Sequence, residues 1–484
     1  MPIDTTANIG RPRVISTVQW IGLIIGIIVF LIPFFIEFQN LSPAGHRMLS
    51  IFFLAIVFWL AEVVPMFATA VLIILLEILF LSNKGIFIPH CNPAVFTPVP
   101  YKKLLAALAD PVIILFMGGF FLADGATKYR MDRNLARVML KPFGTRPSMI
   151  ILGFMLITAI FSMFMSNTAT TATFMAVMLP VMAGLPKGDR LRIALPLCIP
   201  IAANIGGIGT PIGTPPNAIA LGALAKASPD GNAPIAFIQW MTGAVPLMLI
   251  FLTVAFIVLN LLFKSDTKHI KIELDGSFDK SPQAFIFYAT FAGTVILWMT
   301  EALHGINSNI VGFIPIVVLS CTRVMGISDL KNLEWHVLWL VAGGISLGIG
   351  IGATGMGEWF VGLFDWTHMT PFVLVSMLTL ASLICSTFIS NSATTNLLVP
   401  IALSLTISEA VPLSPVAAAV FIAVGSSMAM ALPISTPPNA IAYACGEISA
   451  RNMAITGSII GGICWLIFIL IGPSLWEYLG ILPH

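Results

Sequence analysis

Two polar clusters stand in the middle of long apolar stretches, and neither contains an ionisable residue. The first reads Ser166-Asn167-Thr168-Ala169-Thr170-Thr171 inside 148–183, and the second Ser390-Asn391-Ser392-Ala393-Thr394-Thr395 inside 371–407. Six consecutive small, mostly polar residues are costly facing lipid. Non-helical backbone at that depth is tolerated only where it lines a cavity or is buried in protein. Helices that restart near Thr170 and Thr394 would aim unsatisfied N–H groups and positive dipole ends at one region. Asn167, Thr168, Asn391 and Ser392 add side-chain donors there. Two further segments, Gly213-Thr214-Pro215-Pro216-Asn217 and Ser435-Thr436-Pro437-Pro438-Asn439, break their helices. Proline lacks the amide donor and clashes with the preceding turn. Carbonyls freed at Gly213, Thr214, Ser435 and Thr436 suit a small hard cation such as sodium. Donors beside cation ligands describe an anion site with coupled cations. No Lys, Arg or His lies within these motifs, so helix dipoles and bound cations would balance the anion's charge.

The elements that carry the motifs form an internal repeat. The clusters are 224 residues apart, the Thr-Pro-Pro-Asn breaks 222, and the pairs Gly118-Gly119 and Gly343-Gly344 225. A weaker pair, Trp59-x-x-Glu62 and Trp298-x-x-Glu301, keeps the same order. One such pair arises by chance; four in order are a duplication. The chain of 484 residues is 58% hydrophobic and 9% charged, against about 25% charged residues in soluble domains. That excludes a soluble enzyme and a disordered protein, and the net charge of +2 argues against a nucleic-acid partner. At about 20 residues per crossing, the chain is an all-α polytopic membrane protein. Expected spans are 18–36, 47–64, 66–82, 104–124, 194–225, 241–263, 283–302, 309–323, 336–354, 415–445 and 454–480. They give about eleven transmembrane helices, with 148–183 and 371–407 as two further interrupted segments.

Charge placement orients the halves. Lys128, Arg130, Arg133, Arg137, Lys141 and Arg146 precede the first interrupted segment, and Lys187, Arg190 and Arg192 follow it; the flanks of the second carry only Glu358, Asp365 and Glu409. By the positive-inside rule the first flanks are cytoplasmic and the second external. Each segment then enters and returns on one side, as a re-entrant hairpin, and the halves form an inverted-topology repeat of the kind secondary transporters use. With the N-terminus inside (Arg11, Arg13), the C-terminus falls outside; Lys84, Lys102 and Lys103 also fall outside, against the trend. The first apolar run is long enough to span and follows a short polar start, so no cleavable leader is read. The protein is expected in a bacterial inner membrane.

Other features have simpler readings. Glu62 and Glu301 brace span ends, and Asp124 beside the basic stretch is solvated. Residues 128–146 form a surface helix on anionic lipid. The seven histidines avoid the motifs and form no zinc pattern. Neither a nucleophile–base pair nor a phosphate loop is present, so no enzyme and no organic cofactor are expected. Ser, Thr and Asn packing between helices would explain one tip alone, but not duplicated tips with duplicated breaks.

The paired Ser-Asn-Thr and Ser-Asn-Ser tips, with the paired Thr-Pro-Pro-Asn breaks, resemble the divalent anion–sodium symporter family over residues 40–482. The resemblance implies a homodimer that moves di- or tricarboxylates or sulfate by an elevator motion. It implies that Asn167, Thr168, Asn391 and Ser392 bind substrate carboxylates, with Thr436 and Pro437 completing the site. A first sodium site would use Ser162, Ser166, Asn167 and Gly213, and a second Ser386, Asn391, Thr394 and Ser435. Transport regions would be 146–263 and 371–484, and 1–145 and 264–370 mainly scaffold. The second tip departs from the family's dicarboxylate pattern, Ser-Asn-Thr, at Ser392. The expected activity is sodium-coupled import of a C4-dicarboxylate. A sodium-independent exchanger, a sulfate or citrate symporter and, more remotely, an anion channel remain alternatives.

Overall fold

The computed structural model describes residues 16–85, 97–228, 235–265, 267–270, 277–363, 366, 369–407 and 411–482. Arg11, Arg13, Asp365 and Glu409, used above for orientation, lie outside them. The described chain is helical, with one isolated bridge between Ser82 and Val99. Eight of its helices are long and apolar enough to cross a membrane. Seven coincide with expected spans, and the eighth, Pro371–Phe388, is the first arm of the second hairpin. The other four expected spans are short or broken: Met66–Leu81, Leu191–Gly207 with Pro215–Ala227, Ser308–Val311 with Phe313–Cys321, and Pro415–Ser427 with Pro437–Tyr443.

Helix starts follow one chemical rule. Ser42, Ser281, Thr370 and Ser414 each accept a backbone N–H and are followed by proline at the first helical position. The hydroxyl satisfies an orphan donor, and proline sits where no donor is needed. Thr436-Pro437 shares that signature in full, and Thr214-Pro215 shares the proline at the first helical position without the side-chain bond, so each break is also a helix start. This corrects one expectation. The carbonyls of Thr214 and Thr436 are not free, because they accept from Asn217 N (3.1 Å) and Ala440 N (3.2 Å) in the restarted helices.

Two groups of helices are apparent. In one, Thr17–Phe35, Pro43–Leu60 and Met66–Leu81 pack in sequence, and Met66–Leu81 lies along Trp335–Thr354. Pro111–Lys128 packs in the same way on Phe313–Cys321. Each helix of the glycine pairs thus lies against an element of the other half. The glycines permit it: a Cβ on Gly118 would lie 2.1 Å from Gly312 O, and one on Gly343 2.4 Å from Ala70 Cβ.

In the other group, the arms Pro147–Ser162 and Asn167–Ala183 straddle Leu191–Gly207, while Pro371–Phe388 and Asn391–Ile407 straddle Pro415–Ser427. Each second arm also packs on the restarted helix of the opposite half, Asn167–Ala183 on Pro437–Tyr443 and Asn391–Ile407 on Pro215–Ala227. The long helices Phe237–Leu262 and Ala450–Tyr478 pair through Trp240 with Trp476 and Phe251 with Phe468.

Two surface expectations change. Asp124 is half-buried, with Oδ2 out of contact with solvent. The basic helix Met131–Leu140 turns Asp132 and Asn134 inward along with Met131 and Leu140. Thr173 Oγ1 of the first hairpin donates to Asp132 Oδ2 at 3.2 Å, so this helix is fastened to the hairpin. Arg133, Lys141 and Arg146 stay exposed.

Candidate functional site

Serine caps set both hairpin tips. Ser166 and Ser390 accept from Ala169 N and Ala393 N, each at 3.2 Å. The helices therefore restart at Asn167 and Asn391, three residues earlier than expected. Asn167 and Thr168, like Asn391 and Ser392, occupy first turns, where backbone N–H groups lack helical partners. The first tip is half-exposed, whereas Asn391 and Ser392 are each 9% exposed.

Behind the first tip, oxygens converge. Ser162 Oγ lies 2.6 Å from Asn167 Oδ1 and donates to Ala203 O at 2.8 Å. The Asn167 amide has two useful orientations. With Nδ2 turned in, it donates to Ser162 Oγ (2.6 Å), Gly213 O (3.1 Å) and Ala203 O (3.2 Å). With Oδ1 turned in, the same positions bring four oxygens together around the single hydrogen of Ser162. The crowding depends on glycine: a Cβ on Gly207 would lie 2.6 Å from Asn167 Oδ1, and one on Gly213 2.5 Å from Gly207 O.

The second tip repeats the pattern. Ser386 Oγ donates to Asn391 Oδ1 (2.7 Å) and Ser426 O (2.8 Å), its single hydrogen serving one at a time. One turn on, Thr394 Oγ1 is buried without a partner, an orphaned acceptor beside this cluster. Ser435 Oγ donates to Thr387 O at 2.8 Å, fixing the break to the end of the first arm. In the first half Thr210 Oγ1 makes the corresponding tie, to Met163 O, from a position three residues before Gly213, the mate of Ser435.

The breaks are held by their asparagines. Asn217 Nδ2 donates to Gly207 O (3.0 Å) and Thr210 O (2.7 Å); Asn439 Nδ2 donates to Met430 O and Leu432 O, both at 2.9 Å. Each takes two carbonyls that the interruption frees. Asn204 joins the halves, with Nδ2 3.3 Å from both Thr436 Oγ1 and Asn439 Oδ1. Thr436 is buried while Pro437 is exposed. Arg192 adds a clamp, donating to Met182 O (3.0 Å), Leu185 O (3.2 Å) and, through Nε, Glu447 Oε2 (3.1 Å). That guanidinium holds the Glu447 carboxyl below its ordinary range.

Of the candidates, Ser162, Asn167 and Gly213 meet in one cluster and Ser386 and Asn391 in the other. The Ser166 hydroxyl is directed to Glu334 Oε1, 2.7 Å away. Sequence reasoning missed Ala203, Ser426, Asn204 and Glu334. Carbonyl partners leave no trace in side-chain identity, but Glu334 lies 224 residues after Asp110, the spacing of the tips.

Uncharged tips, broken helices and an apolar helical body define a multi-pass membrane transporter, and comparison with known proteins agrees. Residues 17–482 match the sodium:sulfate symporter transmembrane region, and the chain belongs to that family. It is a transporter and not an enzyme. It is 29% identical over 458 residues to an uncharacterized transporter of Haemophilus influenzae, covering 90% of this chain and 93% of that one. It is also 29% identical over 477 residues to the sodium-dependent dicarboxylate transporter SdcS of Staphylococcus saprophyticus (91% and 88% covered). The Staphylococcus aureus SdcS is 28% identical over 502 residues (95% and 92%). Among solved structures, the Alcanivorax borkumensis YdaH transporter matches in fold with a TM-score of 0.50 at 15% identity, covering 86% of this chain and 98% of that one.

Proposed function

We propose that this transporter carries C4-dicarboxylates such as succinate, fumarate and malate into the cell together with sodium. The observation that supports this best is the oxygen cluster of Ser162, Asn167, Ala203 and Gly213, with its counterpart at Ser386, Asn391 and Ser426. With Oδ1 turned in, each unmatched buried acceptor costs about 1–3 kcal/mol, and a cation among the oxygens removes that cost. Hard cations take neutral oxygen sets, and relatives of the chain are named sodium-dependent dicarboxylate transporters.

In this reading Ser162, Ser166, Asn167 and Gly213 form the first sodium site, and Ser386, Asn391, Thr394 and Ser435 the second. Sodium binds first and orders both tips. The dianion then meets the N-termini of Asn167–Ala183 and Asn391–Ile407, with Asn167, Thr168, Asn391 and Ser392 donating and Thr436 and Pro437 closing the site. Cation charge and helix dipoles together balance two carboxylates. Residues 146–263 and 371–484 move as one body, elevator-fashion, against a scaffold of 1–145 and 264–370 that dimerises. Two inversely oriented repeats give each body its inward and outward halves. The cell's inner membrane holds the protein with its N-terminus cytoplasmic and its C-terminus external.

A sodium-independent exchanger is the second reading, favoured by the other Asn167 orientation, which satisfies the cluster without a cation. Thermal unfolding of the purified protein separates the two. Succinate that raises Tm in NaCl but not in KCl supports symport, and stabilisation equal in both salts supports exchange. Sulfate and citrate in the same assay test the cargo, because Ser392 removes a methyl from the second tip.

A further inference from the structure

The two helices of the glycine pairs each begin at an acidic residue, and those residues, Asp110 and Glu334, are repeat mates. Asp110 caps its helix through Val112 N (3.0 Å) and is balanced by Lys226 Nζ at 2.8 Å. Glu334 leads into Trp335–Thr354, and among the described residues no Lys, Arg or His lies within ion-pair distance of it. Its Oε1 instead accepts from Ser166 Oγ. Among the described residues, the hydroxyl of Ser390, the mate of Ser166, bonds Ala393 N alone. Two related acids therefore have different partners, one paired with a lysine and the other hydrogen-bonded to a candidate cation ligand.

A serine hydroxyl has one hydrogen and two lone pairs. Giving the hydrogen to Glu334 leaves both lone pairs of Ser166 Oγ as acceptors, one used by Ala169 N and one available. An outer carboxylate of this kind orients a ligand and makes it more basic, and removing one costs about 10–100-fold in metal affinity. We infer that Glu334 is a positioning residue for the first cation site, and that through it the affinity of that site depends on contact between the first tip and Trp335–Thr354. The second arm also meets Trp335–Thr354, through Asn396 Nδ2 and Leu340 O at 3.1 Å, but among the described residues no carboxylate accepts from its capping Ser390, so the two sites differ in affinity.

This inference rests on the proposed sodium coupling. It is tested with purified full-length protein by following Tm against NaCl at constant ionic strength, and in proteoliposomes by the sodium dependence of succinate uptake. Glu334→Gln is expected to raise the sodium midpoint at least about ten-fold in both assays. Glu334→Asp should recover part of the shift, and the half-saturating succinate concentration at saturating sodium should move less than two-fold. A loss of fold would appear as a lowered Tm without sodium, and Glu334→Asp then carries the comparison. A sodium midpoint within two-fold of wild type in Glu334→Gln overturns the inference while leaving symport intact. Wild-type protein that ignores sodium in both assays overturns symport and the inference with it.

Discussion

The two halves use the same local chemistry and differ in what surrounds it. Each tip has a capping serine, an asparagine at the first helical position, and a serine five residues earlier that bonds both the asparagine and a carbonyl of the adjacent helix. Each break has an asparagine holding two freed carbonyls. The surroundings diverge. The first tip is half-exposed and its break is buried except for the half-buried Pro215, whereas Asn391 and Ser392 of the second tip are buried and its break exposes Ile434 and Pro437. Ser166 is fastened to Glu334 and Ser390 is not. Asn204 reaches across to Thr436, while Ser427, at the equivalent place 223 residues on, bonds within its own helix to Ala423 O at 3.1 Å. Duplication preserved the capping serines, the serine–asparagine bonds and the held carbonyls, and relaxed what faces the rest of the molecule.

The largest expected effect treats the halves alike. Asn167→Ala and Asn391→Ala each remove a side chain proposed to serve both substrate and cation, and uptake of labelled succinate should fall to background in both. Near-normal uptake in both variants would sink the site assignment, and loss in one alone would break the equivalence of the tips. Gly207→Ala comes next and should separate the halves. The added Cβ crowds Asn167 Oδ1, so sodium affinity should fall about ten-fold, read as the NaCl dependence of Tm. The position 223 residues on is Met430, so no equivalent glycine supports the second cluster.

Smaller again, Asn217→Ala and Asn439→Ala leave the Gly207 and Met430 carbonyls without their asparagine donor, while Thr210 O and Leu432 O keep the N–H groups of Gly213 and Ser435. A cost of about 1–3 kcal/mol each is expected, seen as similar drops in Tm. A drop confined to one variant would show that only one break is held by its asparagine. The smallest effect belongs to Ser392→Thr, which restores one methyl group. The preference between succinate and sulfate in competition should shift by roughly ten-fold or less, and no change would remove Ser392 from cargo selection.

Much of this arrangement was legible in the sequence, because a repeat exposes positions that a single copy would hide. Offsets of 222 to 225 located the tips, breaks and glycine pairs, and the family resemblance grouped Ser162 with Asn167 and Ser386 with Asn391, pairs that the structure joins by hydrogen bonds. Helix restarts were misjudged by three residues because the serines at 166 and 390 act as caps, which bring Asn167 and Asn391 into the first turn. Thr-Pro-Pro was read only as a breaker, although a threonine before proline is also a start signal, and so the Thr214 and Thr436 carbonyls were wrongly counted as free. Ala203 and Ser426 contribute backbone oxygens, which residue type does not reveal. Glu334 was detectable as the mate of Asp110, but an acid next to Trp335 at a span end reads as an ordinary interfacial residue.

The central claim is that the two clusters bind cations which allow an uncharged pair of helix tips to hold a dianion. Uptake of labelled succinate into proteoliposomes tests it most directly, with an inward sodium gradient compared against potassium. The account predicts accumulation that requires sodium and is blocked by fumarate but not by sulfate. Uptake that ignores sodium and proceeds only when succinate is preloaded inside would contradict it, and the cation sites would have to be withdrawn.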